Sequence, residues 1–359
     1  MRVLVLLLSM WVAIAAAEVD VIRIGYPGIG VGGTPRIPGS ALAPLFSKHL
    51  LEDEFKPDGI RVEWSLLKGA GPAVNELLAA DQLDVVYLGD LAALLGRSAG
   101  IKTRLLLAGG RGANLYLVVK ADSSAHSLQD LQGKRIGLFK GTALQLQADR
   151  VVARYGLGEA DFKTVNFDQA SGLAAVIDGD IDGLWAQAPI WEQVDKGLLR
   201  VVASSRDPVP GGGEAPKAWG GVLVREDFAE KHSDLLQRLI TVTVRETAWC
   251  SDEAHRDELL SIWGESGYPA SVFRRDFDGT KLADRLSPLL DADFLAEVRA
   301  GASEAMALKL LRHPIDVDSW VDRSYLDHAI ATLQVQDVWT PKPAPTPPVT
   351  GALSPTSGR

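Results

Sequence analysis

The chain of 359 residues has a single cysteine, which excludes an intramolecular disulfide and zinc sites built on several thiolates. Its six histidines, His49, His126, His232, His255, His313 and His328, show neither H-E-x-x-H nor any other close metal-ligand spacing. A G-x-S-x-G elbow and a P-loop are both missing, so the usual geometries for a nucleophilic serine and for phosphate cradling are not offered. These absences favour a binding protein over an enzyme. Basic residues are also scarce: 37 Lys+Arg face 46 Asp+Glu, for a formal charge of −9. A nucleic-acid binder needs clustered Lys and Arg to displace condensed counterions, so no nucleic-acid partner is expected. No apolar run of about 18 residues occurs, so the chain is not expected to be membrane-embedded. What remains is the composition of an ordinary folded protein, 47% hydrophobic and 23% charged. A single core stops growing near ~250–300 residues, so two lobes are expected.

The ends are compositionally distinct. Arg2, the apolar run Val3 to Ile14 broken only by Ser9, and the small residues Ala15-Ala16-Ala17 read as a secretory signal over 1–17, cut before Glu18. No cysteine follows the cut, so no lipid anchor is expected, and the folded chain belongs in the periplasm. Pro341, Pro343, Pro345, Pro347, Pro348 and Pro355 sit among Thr, Ser and Gly, so 341–359 reads as a disordered tail.

Between the ends, β-rich runs alternate with helical patterns. Strands are predicted at 21–26, 60–64 and 84–87, with helices over 40–51, 72–80 and from Asp90 to about Gly96. The pattern repeats with strands at 115–120, 135–138, 164–167, 183–185 and 199–203 and helices over 142–155 and 171–178. A strand over 220–225 follows, and from Phe228 the apolar residues keep helical spacing to about Leu333. Such alternation implies right-handed crossovers and a mostly parallel sheet in each of two α/β blocks. Ligands of open α/β sheets sit beyond the carboxyl ends of the strands, so the functional residues belong in the strand-to-helix loops.

Several of those loops carry the same device. Gly69 and Gly71 precede Pro72 at one helix start, and Gly141 and Thr142 open another in the second block. Unpaired N–H groups at the positive end of a helix dipole make an anion site, although Gly and Pro also simply make tight turns. Gly28, Gly30 and Gly32 belong to a glycine-rich stretch that fits G-x-G-x-x-G, but Pro35 and Pro38 prevent the helix that a pyrophosphate site requires. A flexible loop closing over a small ligand fits better. Trp185 and Trp219 end or begin strands, where an indole either walls a ligand's apolar tail or packs between lobes. Cys250, beside Trp249 in a helical pattern, reads as a packed residue rather than a nucleophile.

The order of the glycine-rich first loop, Gly89-Asp90, Asp130-Leu131-x-Gly133-Lys134-Arg135-Ile136, Lys140-Gly141-Thr142-Ala143, Asp180-x-Asp182-Gly183 and Pro189 resembles the periplasmic solute-binding proteins for aliphatic sulfonates, whose relatives bind nitrate and taurine. The Asp-Leu-x-Gly-Lys turn is shared by many binding proteins, whereas the Lys-Gly-Thr loop and the later Asp-Gly…Pro segment are more specific. The resemblance spans most of 20–335. It implies an α/β, two-lobed, type II periplasmic binding protein of Venus-flytrap form, each lobe a mixed sheet flanked by helices. Lobe 1 would comprise 18–112 plus 222–340 and lobe 2 would comprise 113–221. A monomer without cofactor or metal would pass a small organic anion to an ABC permease with its ATPase.

Carried over by that resemblance, ligand contacts would come from the first glycine loop, Gly69 to Gly71, Gly89-Asp90, Asn114, Gly141-Thr142, Trp185 to Pro189 including Gln187, and Trp219. Lys68 and Lys140 would either pair with the anion or stay solvated. The family usually has Trp-Asp-Pro where this chain has Gln187-Ala188-Pro189. Loss of that acid removes a partner for taurine's ammonium, so an uncharged-tail alkane- or arylsulfonate, or a sulfate ester, is favoured. Nitrate binding, a periplasmic ligand sensor and an enzyme similar to thiamin-pyrimidine synthases are the alternatives.

Overall fold

The structure, a computed structural model, describes residues 19–209 and 217–340. The predicted signal with its cut, the glycine-rich stretch 210–216 and the Pro-rich tail lie outside the described residues. Two five-stranded sheets organise the rest. The first has the order β2-β1-β3-β10-β4, from β1 (Val21–Tyr26), β2 (Arg61–Leu66), β3 (Val85–Gly89), β4 (Thr103–Arg111) and β10 (Trp219–Arg225). The second repeats that plan as β7-β6-β8-β5-β9, from β5 (Tyr116–Lys120), β6 (Arg135–Leu138), β7 (Lys163–Asn166), β8 (Gly183–Ala186) and β9 (Leu199–Ser204).

Each sheet is mixed but mostly parallel, with four of its five strands running the same way and one strand opposed. β1 runs parallel to β2 and β3, but β10 is antiparallel to both β3 and β4. Likewise β6 runs parallel to β7 and β8, while β5 is antiparallel to β8 and β9. The reason is the path of the chain. β5 and β10 each follow a crossing from the other sheet, and each enters between two strands against their direction. β4 was missed altogether: Leu105, Leu106 and Leu107 are buried on both faces, so the run lacks the alternation that marks a half-exposed strand.

Helices α1 (Leu42–Ser47) and α2 (Leu50–Phe55) replace the single helix predicted over 40–51, because His49 adopts a left-handed φ of 55° and breaks it. α3 (Ala70–Ala79) and α4 (Asp90–Ser98) follow β2 and β3; α5 (Ala143–Ala153), α6 (Gln169–Asp178) and α7 (Ile190–Asp195) follow β6, β7 and β8. After β10 come α8 (Glu226–Lys231), α9 (Ser233–Ser251), α10 (Arg256–Gly264), α11 (Ala270–Asp276), α12 (Leu282–Leu286), α13 (Ala292–Ala307), α14 (Val317–Trp320), α15 (Ser324–Leu333) and α16 (Gln336–Trp339).

These later helices build the core of the first sheet, where Trp263 and Trp320 are fully buried. Cys250 is also buried there, and burial pushes its thiol pKa up. The second sheet has a core on each face: Leu115, Leu117 and Val119 point to one, and Tyr116 and Val118 to the other, as the two-residue period of a strand requires. Among the described residues no helix is long and apolar enough to cross a membrane.

Candidate functional site

Parallel βα units place helix starts beyond the carboxyl ends of their strands. In this fold α3 and α4 open from the first sheet and α5 from the second, and the three starts meet. A Cβ built on Gly89 would lie 2.8 Å from the Cβ of Ala143, across the gap between the sheets. One built on Gly141 would lie 3.1 Å from Cγ of Pro72, and one on Gly71 would be 3.8 Å from the carbonyl oxygen of Gly141. Glycine at these positions lets the helix starts approach to van der Waals distance. Gly141 needs its glycine twice over, because its φ is +74°.

The donors at the start of α5 are divided between cap and site. Thr142 is the N-cap: its Oγ1 accepts from Leu144 N–H at 3.3 Å and donates to the Phe139 carbonyl at 2.6 Å. Gly141 N–H is taken by Gln145 Oε1 at 2.8 Å and Gln145 N–H by the Thr142 carbonyl. The N–H groups of Thr142 and Ala143 have no acceptor among the described residues. At α3, Gly69 caps without a side chain, and Ala70 is held at φ +53°, an outlier for a residue with a Cβ. On both sheets the site is therefore built from backbone dipole.

Asp90, the first residue of α4, is fully buried. Burial pushes its carboxyl up to about 6, against the pull of Arg150 on α5, while its Oδ1 accepts from Leu91 N–H at 2.6 Å. The Asp90 carboxylate therefore faces Arg150 rather than solvent.

Other predicted contacts fall elsewhere. Gly30 N–H bonds the Thr34 carbonyl, and Val31 N–H bonds Ser266, so the first glycine loop is anchored to the segment between α10 and α11 instead of hanging free. Gly28 N–H bonds the Tyr26 carbonyl, and Gly32 is exposed with nothing within 4 Å of its Cβ position. Asn114 donates to the Asp276 carbonyl at 2.8 Å and to its Oδ1 at 3.1 Å. Tyr116 and Arg285 meet the same carboxylate, so Asn114 is a strut at the first crossing. Lys140 pairs with Glu159 at 2.7 Å, which turns its ammonium along the second sheet's own surface. Gln187 donates its backbone N–H to Gln169 Oε1 at 2.7 Å.

The two tryptophans are core residues in this arrangement. Trp185 is 4% exposed and packs with Leu138, Ala148 and Val152 between β8 and α5. Trp219 is 3% exposed and lies edge-on to Phe294 and Trp320, with centroids 5.6 and 6.4 Å apart.

Sequence reasoning missed Tyr87 and Arg150. The partly exposed Tyr87 stacks on Tyr26 at 5.2 Å, and burial, then Asp90, push its hydroxyl up to about 12. Room for its ring comes from Gly109 and Gly220, whose Cβ atoms would fall 2.3 Å and 2.2 Å from Tyr87 atoms. The available signal was two Gly-Gly pairs, 109–110 and 220–221, inside strands.

Two mixed sheets with converging helix starts define a two-lobed protein of the periplasmic-binding-protein fold. The chain belongs to the NMT1/THI5-like family, whose match covers residues 55–255. It is 26% identical over 296 residues to a Bacillus subtilis (strain 168) protein named for binding aliphatic sulfonates, covering 81% of this chain and 86% of that one. Among solved structures it is similar to the periplasmic sulfonate-binding protein SsuA of Methylobacillus flagellatus KT, with TM-score 0.74, 28% identity, and coverage of 90% and 98%. A shorter match, 28% over 166 residues, is to the 2'-hydroxybiphenyl-2-sulfinate desulfinase of Rhodococcus erythropolis, covering 45% of this chain and 43% of the enzyme.

Proposed function

We propose that this chain is the solute-binding component of an ABC-type importer, working in the periplasm without chemistry of its own. Its ligand is an alkane- or arylsulfonate, or a sulfate ester, which it hands to a permease coupled to an ATPase. The observation that carries the reading is the meeting of helix starts from opposite sheets at Gly71, Gly89 and Gly141, with the Thr142 and Ala143 N–H groups unclaimed. An anion bridging them would be held by dipoles from both halves, so binding and closure become one event. Fixed dipoles also suit release, because no full countercharge has to be separated from the anion.

The burial of Trp185 and Trp219 removes them as walls for the tail. Tyr87, partly exposed beside Asp90, is the ring left to serve that purpose. The absence of an acid at Gln187-Ala188-Pro189 disfavours taurine, whose ammonium would go unpaired. The desulfinase relative keeps an enzymatic reading in view. Against it, the chain's one thiol is buried on α9 with its pKa raised, so it supplies no thiolate to a crevice.

Thermal unfolding against methane- to octanesulfonate, taurine, arylsulfonates, sulfate esters, nitrate and sulfate tests the reading. A ligand at a hundredfold excess over Kd adds about 2.7 kcal/mol to stability. A shift with tailed sulfonates or sulfate esters but not with nitrate or taurine is expected. No shift with any of them refutes the assignment.

A further inference from the structure

Helix α5 belongs to the second sheet, yet one of its faces is buried in the first. Leu146 is fully buried in the first core, and Arg150, one turn later, has a side chain only 4% exposed. Its Nε lies 2.5 Å from Glu304 Oε2 on α13, and its Nη1 lies 3.6 Å from Asp90 Oδ2 on α4. Nη1 also donates to the Lys217 carbonyl, on the second crossing, at 3.3 Å. One guanidinium on the second half's α5 thus touches two acids of the first half and a carbonyl of the second crossing.

The cluster is incompletely paired. Among the described residues, Arg150 Nη2 and Trp219 Nε1 are buried without a hydrogen-bond partner, and Asp90 Oδ2 has only the 3.6 Å ion pair with Arg150 Nη1. Nη2 and Nε1 converge on Gly301 of α13, 3.1 and 3.7 Å from where its Cβ would be. Ion pairing draws the halves together, while the desolvated, unpartnered atoms push toward an open arrangement in which water would reach them. Opposing contributions of this kind suit a reversible contact, since a one-sided one would lock the halves open or shut.

We propose that the Arg150–Asp90–Glu304 cluster is the latch that sets the balance between open and closed arrangements of the two sheets, and through it ligand affinity and release. Arg150 is a positioning residue: it reaches the crevice through Asp90, the first residue of α4, and through the first turns of its own helix. The proposal rests on the crevice being a ligand site, and not on which anion fills it.

The test is Arg150→Met, which keeps the bulk of the side chain, together with Glu304→Gln at the more exposed rim, where the acid's side chain is 34% exposed. Radius of gyration by small-angle scattering is measured without and with octanesulfonate, and Kd and dissociation rate are measured for the same probe. Arg150→Met is expected to enlarge the protein measured without octanesulfonate and to raise Kd about tenfold or more, mainly through faster dissociation. Glu304→Gln is expected to shift both in the same direction, by roughly three- to tenfold in Kd. If both variants fold and keep the wild-type radius and Kd, the latch is refuted; if Arg150→Met does not fold, Glu304→Gln decides alone. If octanesulfonate does not bind even the wild type, the sulfonate assignment fails separately, and the radii of the two variants still score the latch.

Discussion

Substituting Gly89 by alanine isolates closure from folding. Gly89 has φ −72° and ψ 162°, which any residue adopts, so the backbone cost of adding a Cβ is negligible. The new methyl would stand 2.8 Å from the Cβ of Ala143, which is carried by the other sheet. Ordinary carbon contacts lie near ~3.5–4.0 Å, so the two helix starts must separate by about 1 Å to accept it. Overpacking of this kind costs about 1–3 kcal/mol, and here the cost falls only on the arrangement in which α4 and α5 touch. Ligand affinity should therefore fall roughly 5- to 150-fold at 1.4 kcal/mol per decade, while the melting temperature without ligand barely moves. Isothermal titration with the best-binding sulfonate and a melting curve on the same sample give both numbers. The double variant Gly89→Ala/Ala143→Gly restores the space and should recover most of the loss, a coupling that a double-mutant cycle measures. Wild-type affinity in Gly89→Ala, or no recovery in the double variant, would show that the ligand-bound protein does not bring these helix starts together.

Three further outcomes follow from the geometry. Trp185→Ala should lose about 3–5 kcal/mol of stability in a denaturant titration, as a core residue does, with ligand preference unchanged; altered preference with little loss would restore Trp185 to the ligand wall. Thr142→Ala removes the cap of α5 and should cost about 1 kcal/mol of stability, and it should weaken anion binding in calorimetry; unaltered binding would argue against α5 as a donor site. Asp149, beside Glu159, is raised to about 7, by burial first and then by that neighbouring acid. The folded chain then holds a proton that the unfolded chain loses near pH 4, so this group's contribution to stability is present below that pH and is lost as pH rises toward 7. Asp149→Asn should recover on the order of 1–2 kcal/mol at pH 8 and little at pH 4, after allowance for its partial exposure; an equal gain at both would refute the ionisation argument.

The alternation of strand and helix, the helix starts at Gly69 to Pro72 and at Gly141-Thr142, and the burial of Cys250 were all legible in residue order, because turn chemistry and helical periodicity are local properties. Two Gly-Pro and Gly-Thr starts in separate blocks were enough to point to an anion site built on helix dipoles. Strand direction was not legible: β5 and β10 read as ordinary apolar strands, and only the chain's two crossings reveal that each runs against its neighbours. Whether Trp185 and Trp219 wall a ligand or pack inward stayed open in the sequence for the same reason, since a ring at a strand end faces crevice or core according to what packs above it. Arg150 lies on α5, and nothing in residue order singled it out. It is buried because Asp90 and Glu304, 60 positions before and 154 after it, arrive at the same point. Local pattern is set by each residue's immediate neighbours along the chain, whereas which groups share a buried site depends on contacts that closing the fold alone creates.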